Sequence, residues 1–129
     1  MARTIAVFAG EYDARSKARL RAILARWRDS EDLVLDLTEV TFIDSTAVAE
    51  LIAMAAARSN KQLARAAVIV ANPIVDRLFS VLDLGAVFRL APTLDEALAR
   101  DGQPATVEYA FCGDDGNGHV PQDYAMPAR

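Results

Sequence analysis

The chain has 129 residues, 53% of them apolar, and a net charge of −4. That is the length of one domain with enough apolar side chains for a core. No uncharged apolar run approaches the roughly eighteen residues of a membrane span, and Cys112, the lone cysteine, cannot form an internal disulfide, which points to a reducing, cytoplasmic setting.

Met1–Ile5 is too short an apolar start for a signal peptide. Thr4 to Ala9 is an apolar run that reads as a strand ending at Gly10, with Glu11, Tyr12 and Asp13 as the following turn. Asp13 suits a helix N-cap. From Ala14 to Arg28 the period changes to that of a helix, with Leu20, Ile23, Leu24 and Trp27 as the buried stripe. Arg15, Lys17, Arg19, Arg21, Arg26 and Arg28 take the other faces. No aromatic residues interleave with them in a nucleic-acid-binding pattern, so a solvated face is the reading.

Leu33–Leu37 is a second strand, and Thr41–Ile43 continues the approach to a second helix that begins at Asp44-Ser45-Thr46. Val48, Leu51, Ile52 and Ala55 form its expected inner stripe, and it runs to about Arg58. Ala67–Ala71 is a third strand. Asn72-Pro73 opens a third helix, with Val75, Leu78, Phe79 and Leu82 inward and Gly85 as its end. Val87–Leu90 is a fourth strand. Thr93 caps a last helix, with Glu96 completing a capping box and Ala97 and Leu98 inward. Residues 105–111 can form one more strand. Alternation of strands and helices gives an α/β fold with a parallel or mixed sheet. Residues 1–112 read as the domain. Residues 113–129, rich in Gly, Asp, Asn and Pro, read as a flexible tail.

Acids and bases balance over residues 1–100, which gives no field for nucleic acid. The excess acid lies in residues 101–129, where Asp101, Glu108, Asp114, Asp115 and Asp123 face only Arg129. Enzyme chemistry has little support. The one histidine, His119, lies in the tail, far in sequence from Ser45, and with Cys112 it makes no metal site. No glycine-rich phosphate loop follows a strand, and no cofactor is implied. The acidic neighbours Glu11 and Asp13, and Asp36, Glu39 and Asp44, read as caps and solvated turns. Asp44-Ser45-Thr46 stands out by position, at a strand-to-helix junction. Asp44 or Ser45 can cap the free N–H groups there, and the partial positive charge of a helix N-terminus tolerates a phosphate.

Val34-Leu35-Asp36-Leu37 followed by Val40-Thr41-Phe42-Ile43-Asp44-Ser45 is similar to the signature segment of STAS domains of the anti-sigma-factor-antagonist type. Gly10-Glu11-Tyr12-Asp13 resembles that family's turn, Asn72-Pro73 through Leu84-Gly85 its third helix, and Asp95-Glu96-Ala97-Leu98 its last helix. The resemblance spans about residues 5–100. It implies a STAS-like (SpoIIAA-like) fold, a mixed four- to five-stranded sheet with about four helices. It also implies a non-enzymatic cytoplasmic regulator that binds an anti-sigma-factor serine kinase. The kinase phosphorylates Ser45 (Thr46 is the second choice), and a phosphatase reverses it. Asp13, Asp44, Ser45, Thr46, Glu50 and Met54 would form the partner surface, the last two on the exposed face of the second helix. No membrane insertion is implied. The alternative is a STAS subunit that binds the ATPase of a lipid transport complex. The sequence departs from the family pattern at Ala47, where glycine is frequent, and lacks the usual strand before the Gly-Glu turn, an edge that residues 105–111 would cover.

Overall fold

The computed structural model describes residues 2–98 and 106–112; the expected tail, residues 113–129, lies outside them. Along the chain run β1 (Ala2–Tyr12), α1 (Lys17–Trp27), β2 (Asp32–Ile43), α2 (Ser45–Asn60), β3 (Ala67–Ile69), α3 (Pro73–Val81), β4 (Arg89–Ala91), α4 (Leu94–Leu98) and β5 (Thr106–Cys112). The sheet order is β4-β3-β2-β1-β5. Every pairing among the described residues is parallel, so the sheet is parallel and not the mixed one expected. β5 lies along β1 from Ala2↔Thr106 to Phe8↔Cys112, on the edge that the sequence left open.

Connection order decides which face each helix covers. The steps β1 to β2, β2 to β3 and β3 to β4 all move in one direction across the sheet. Right-handed crossovers therefore place α1, α2 and α3 on one face. The step from β4 to β5 returns across the sheet and places α4 on the other. Packing agrees. Ala6, Phe8, Leu33, Leu35, Leu37 and Val68 pack with Leu20, Leu24, Val48, Leu51, Val75 and Phe79. Ile5, Val7, Val34, Ala67 and Ile69 pack with Leu94, Ala97 and Leu98 of α4. Burial on both faces explains the near-continuous apolar runs of β1 and β2.

Both long strands extend beyond the expected ends. Two bulges in β2 make this possible, one between the pairs Val7↔Asp36 and Ala9↔Glu39, the other between Gly10↔Val40 and Glu11↔Phe42. At the first, the buried Asp36 carboxylate accepts bonds from the Thr38 N–H at 3.0 Å and hydroxyl at 2.6 Å. At the second, Thr41 is the extra residue, and its hydroxyl donates to the Gly10 carbonyl at 3.3 Å. Gly10 has φ 92°, a conformation open to glycine and strained for other residues. The bulges take up the polar residues that looked like strand ends.

The third helix stops at Val81 rather than at Gly85. Asp83 has φ 54° and breaks the helix ahead of the glycine, after which Leu84–Ala86 form a 3-10 turn. Asp is among the few residues that enter this region readily, because its short side chain bonds locally. As expected, Thr93 caps α4, its hydroxyl accepting the Glu96 N–H at 3.2 Å.

At the N-terminal end of the strands, Arg58 is 2% exposed. Its guanidinium donates to the carbonyls of Arg28 (2.8 Å), Ser30 (2.6 Å) and Ala64 (2.8 Å). It ties the C-terminal end of α2 to the α1–β2 connection. Burial pulls its pKa down, and Asp32 and Asp29 oppose that shift.

Candidate functional site

The site forms where β1 and β2 end side by side. Tyr12, the last residue of β1, is buried and meets Phe8 edge-on, with ring centroids 5.8 Å apart. Its carbonyl accepts the N–H of Asp44 at 3.1 Å. That bond ties the start of α2 to the end of β1 and brings Asp13 and Asp44 to the same rim.

Asp13 begins the 3-10 turn Ala14–Ser16. Its carboxylate accepts the Arg15 N–H at 2.9 Å, and the Arg15 guanidinium donates to it at 3.1 Å. These bonds, the side-chain bond from Arg15 first, hold the Asp13 carboxyl below its ordinary pKa. The turn packs against α2. Glu11, Asp13, Arg15, Ser16 and Arg19 line an open groove beside it.

The capping question is resolved by geometry. Asp44 has extended backbone angles, and its carboxylate accepts the Ala47 N–H at 3.0 Å, so Asp44 is the N-cap. Ser45 is the first helical residue and is exposed. Its hydroxyl makes no hydrogen bond among the described residues. Thr46 is half-buried. Beyond the cap, no acidic side chain occupies the first turn of α2, so a negative group at Ser45 would meet the positive end of the helix dipole unopposed within that turn. Asp44→Ala should therefore lose about 1 kcal/mol of stability in urea denaturation, while Ser45→Ala should lose less than about 0.5 kcal/mol. Equal losses would return the cap to Ser45.

Two expected surface residues lie elsewhere. Glu50 and Met54 are 8% and 4% exposed, so they are not on the outer face of α2. That face of the helix packs against α1. Glu50 accepts a fork from Arg21 of α1, at 3.1 Å from Nε and 2.8 Å from Nη2, and Met54 joins the core. Ile52, expected inside, is 40% exposed. The outer face of α2 carries Ala49, Ile52, Ala53 and Ala56 instead. Phe42, 45% exposed, is a rim residue that the sequence pattern did not single out. The broken alternation at Val40-Thr41-Phe42-Ile43 was its only signal.

The Arg21 bonds hold the Glu50 carboxyl below its ordinary pKa, against the opposing effect of burial. A depressed folded-state value stabilises the protein above the unfolded-state value and loses that effect as the pH falls through the folded one. Glu50→Gln should thus be less stable than the parent at about pH 7, with the gap closing as the pH falls through the folded-state value. A gap independent of pH in urea melts would show that the ion pair contributes nothing.

Among the described residues, no cluster of His, Cys, Asp and Glu could hold a metal ion. His119 lies outside them. No helix of the described residues is long and apolar enough to cross a membrane.

Residues 4–97 match the STAS domain family. The chain belongs to the STAS family. A comparison with curated proteins finds no match. Among solved structures, the STAS domain is similar to an anti-sigma factor antagonist from Mycobacterium paratuberculosis, with 28% identity and a TM-score of 0.62, covering 74% of this chain and 85% of that one. It shares its fold with SpoIIAA of Bacillus in the phosphorylated form, at 20% identity and TM-score 0.56, covering 75% and 89%. The same holds for a sulfate transporter family protein from Wolinella succinogenes, at 17% identity and TM-score 0.63, covering 75% and 82%. The STAS fold and the antagonist-type neighbours thus agree with the signature residues from Val34 to Ser45.

Proposed function

We propose that this STAS domain is an anti-sigma-factor-antagonist-like regulator. It binds an anti-sigma-factor serine kinase in the cytoplasm and is switched off by phosphorylation at Ser45, which a phosphatase reverses. It works as a binding module rather than as an enzyme. The observation that carries this reading is the division of labour at the start of α2. Asp44 does the capping, which leaves the Ser45 hydroxyl exposed and uncommitted to the fold. A phosphate there changes the surface without removing a structural bond. Similarity to an anti-sigma factor antagonist supports the partner class. The contact surface comprises Asp13, Asp44, Ser45 and Thr46, continued by Ala49, Ile52 and Ala53 on the outer face of α2.

The direct test is to incubate the protein with candidate serine kinases of the same cell and ATP, then map phosphate by mass spectrometry. The expected result is a single phosphate on Ser45. Phosphate confined to other sites, or stable binding to a transport ATPase with no modification of Ser45, would overturn the reading.

A further inference from the structure

The two long strands run on past their neighbours. Among the described residues, β5 pairs with β1 only as far as Phe8, and β3 pairs with β2 only from Val34 to Asp36. Residues 9–12 and 39–43 therefore continue as a two-stranded ribbon, with α2 starting at its tip. Alternation fixes where the ribbon's side chains point. Val40 and Ile43 both belong to the core beneath α1, α2 and α3. They are three residues apart, an odd spacing that a regular strand cannot place on one face. The bulge at Thr41 supplies the extra residue. It keeps Ile43 inward and turns Phe42, which would otherwise share the face of Val40, to the opposite side beside Glu11. There Phe42 is exposed, outside the cluster that α4 covers. The Thr41 hydroxyl bond to Gly10 and the left-handed backbone of Gly10 hold the bend. An aromatic ring is thus held outward by a defined backbone device, three residues ahead of Ser45.

We propose, on the basis of the phosphoswitch, that Phe42 is the anchor of the partner surface, a ring that seats in an apolar pocket beside the active site of the kinase that modifies Ser45. A kinase cannot draw the Ser45 segment into its site as a loose peptide. The Asp44 N–H is bonded to the Tyr12 carbonyl, and the Asp44 carboxylate caps α2. Recognition has to use side chains that the fold holds around Ser45. Asp13, Asp44 and Thr46 are short and polar, and Ala49 and Ala53 offer little area. Phe42 is the large apolar side chain exposed on the ribbon. Ile52 lies about two turns further along α2, and Ile74, Val81, Leu82 and Leu90 lie on or after α3. Aromatic side chains dominate binding where a pocket strips water from them. An apolar pocket also supplies the release step, because a phosphate beside that contact would have to shed its own water.

The test is steady-state phosphorylation of the full chain by the kinase that phosphate mapping identifies. Phe42→Ala should raise KM on the order of thirtyfold. It should leave kcat within about twofold, since the ring binds but takes no part in the transfer. Ile74→Ala, an exposed apolar truncation on α3, should change neither. A second readout does not depend on an alanine variant folding. Benzoylphenylalanine at position 42 should crosslink to the kinase under ultraviolet light, and prior phosphorylation of Ser45 should abolish the link. A parent that takes no phosphate on Ser45 overturns the switch and this anchor with it. A parent phosphorylated on Ser45 whose KM is indifferent to Phe42→Ala, or which gives no crosslink from position 42, overturns the anchor alone.

Discussion

Arg58→Met is expected to be the most damaging single substitution among the contacts described, with a loss of about 2–3 kcal/mol in urea denaturation. Methionine fills much of the same space but donates nothing. The carbonyls of Arg28, Ser30 and Ala64 would then lose the guanidinium that now satisfies them at 2.6–2.8 Å. A fully buried acceptor left without a partner costs about 1–3 kcal/mol, but these bonds are part-buried, so water takes up some of the freed carbonyls and apolar packing by methionine offsets part of the rest. Arg58→Lys separates charge from geometry. An ammonium keeps the charge but cannot span the three carbonyls as a planar fork does, so its loss should be intermediate. A change below about 1 kcal/mol for Arg58→Met would show that water or local rearrangement replaces these bonds. Ser45 lies at the other end of α2. Any folded Arg58→Met protein should thus still accept phosphate there.

The second large effect is on partner binding. Ser45→Ala removes an exposed hydroxyl and should bind the kinase as the parent does, but it cannot be switched off. Ser45→Asp places a negative charge next to Asp44 at the start of α2. The helix dipole keeps that charge compatible with the fold, so both variants should show native-like circular dichroism. Against an acidic or apolar partner surface the added charge should cost a few kcal/mol, on the order of a hundredfold in affinity. True phosphoserine carries more charge than aspartate and should release the partner more completely. Titration calorimetry of the three forms against the kinase decides. Undiminished binding by the aspartate and phosphorylated forms alike would leave Ser45 with no switching role.

Much of this architecture was legible because two signals agreed. The apolar runs at Ile5–Phe8, Leu33–Leu37 and Ala67–Val70 mark strands buried on both faces, and the intervening stripes at Leu20–Leu24 and Val75–Phe79 have the helical period. The sequence could not place α2 in its correct rotation. Its alanines at 47, 49, 53, 55, 56 and 57 give little contrast between inside and outside. Glu50, read as solvated, is buried because its partner, Arg21, sits on another helix. Arg58 was read as a helix end for the same reason, since its acceptors are backbone carbonyls that only the tertiary fold brings together. At the rim the position of Ser45 was readable, but the capping role was not. Asp44 and Ser45 are both good caps, and backbone angles alone distinguish them.

The placement of β1 between β2 and β5 has a consequence for synthesis of the chain. β1, β2, β3 and β4 pair in the order in which they leave the ribosome, each new strand beside the one before it. The last pairing breaks that order, because Ala2 waits for Thr106. Through most of translation one side of the first strand is bare, and its apolar sequence from Thr4 to Ala9 offers other nascent chains a template. The interval is shortest when elongation through residues 99–112 is fast. Chains released early, before Thr106, should therefore be sticky even though most of their helices and strands have formed.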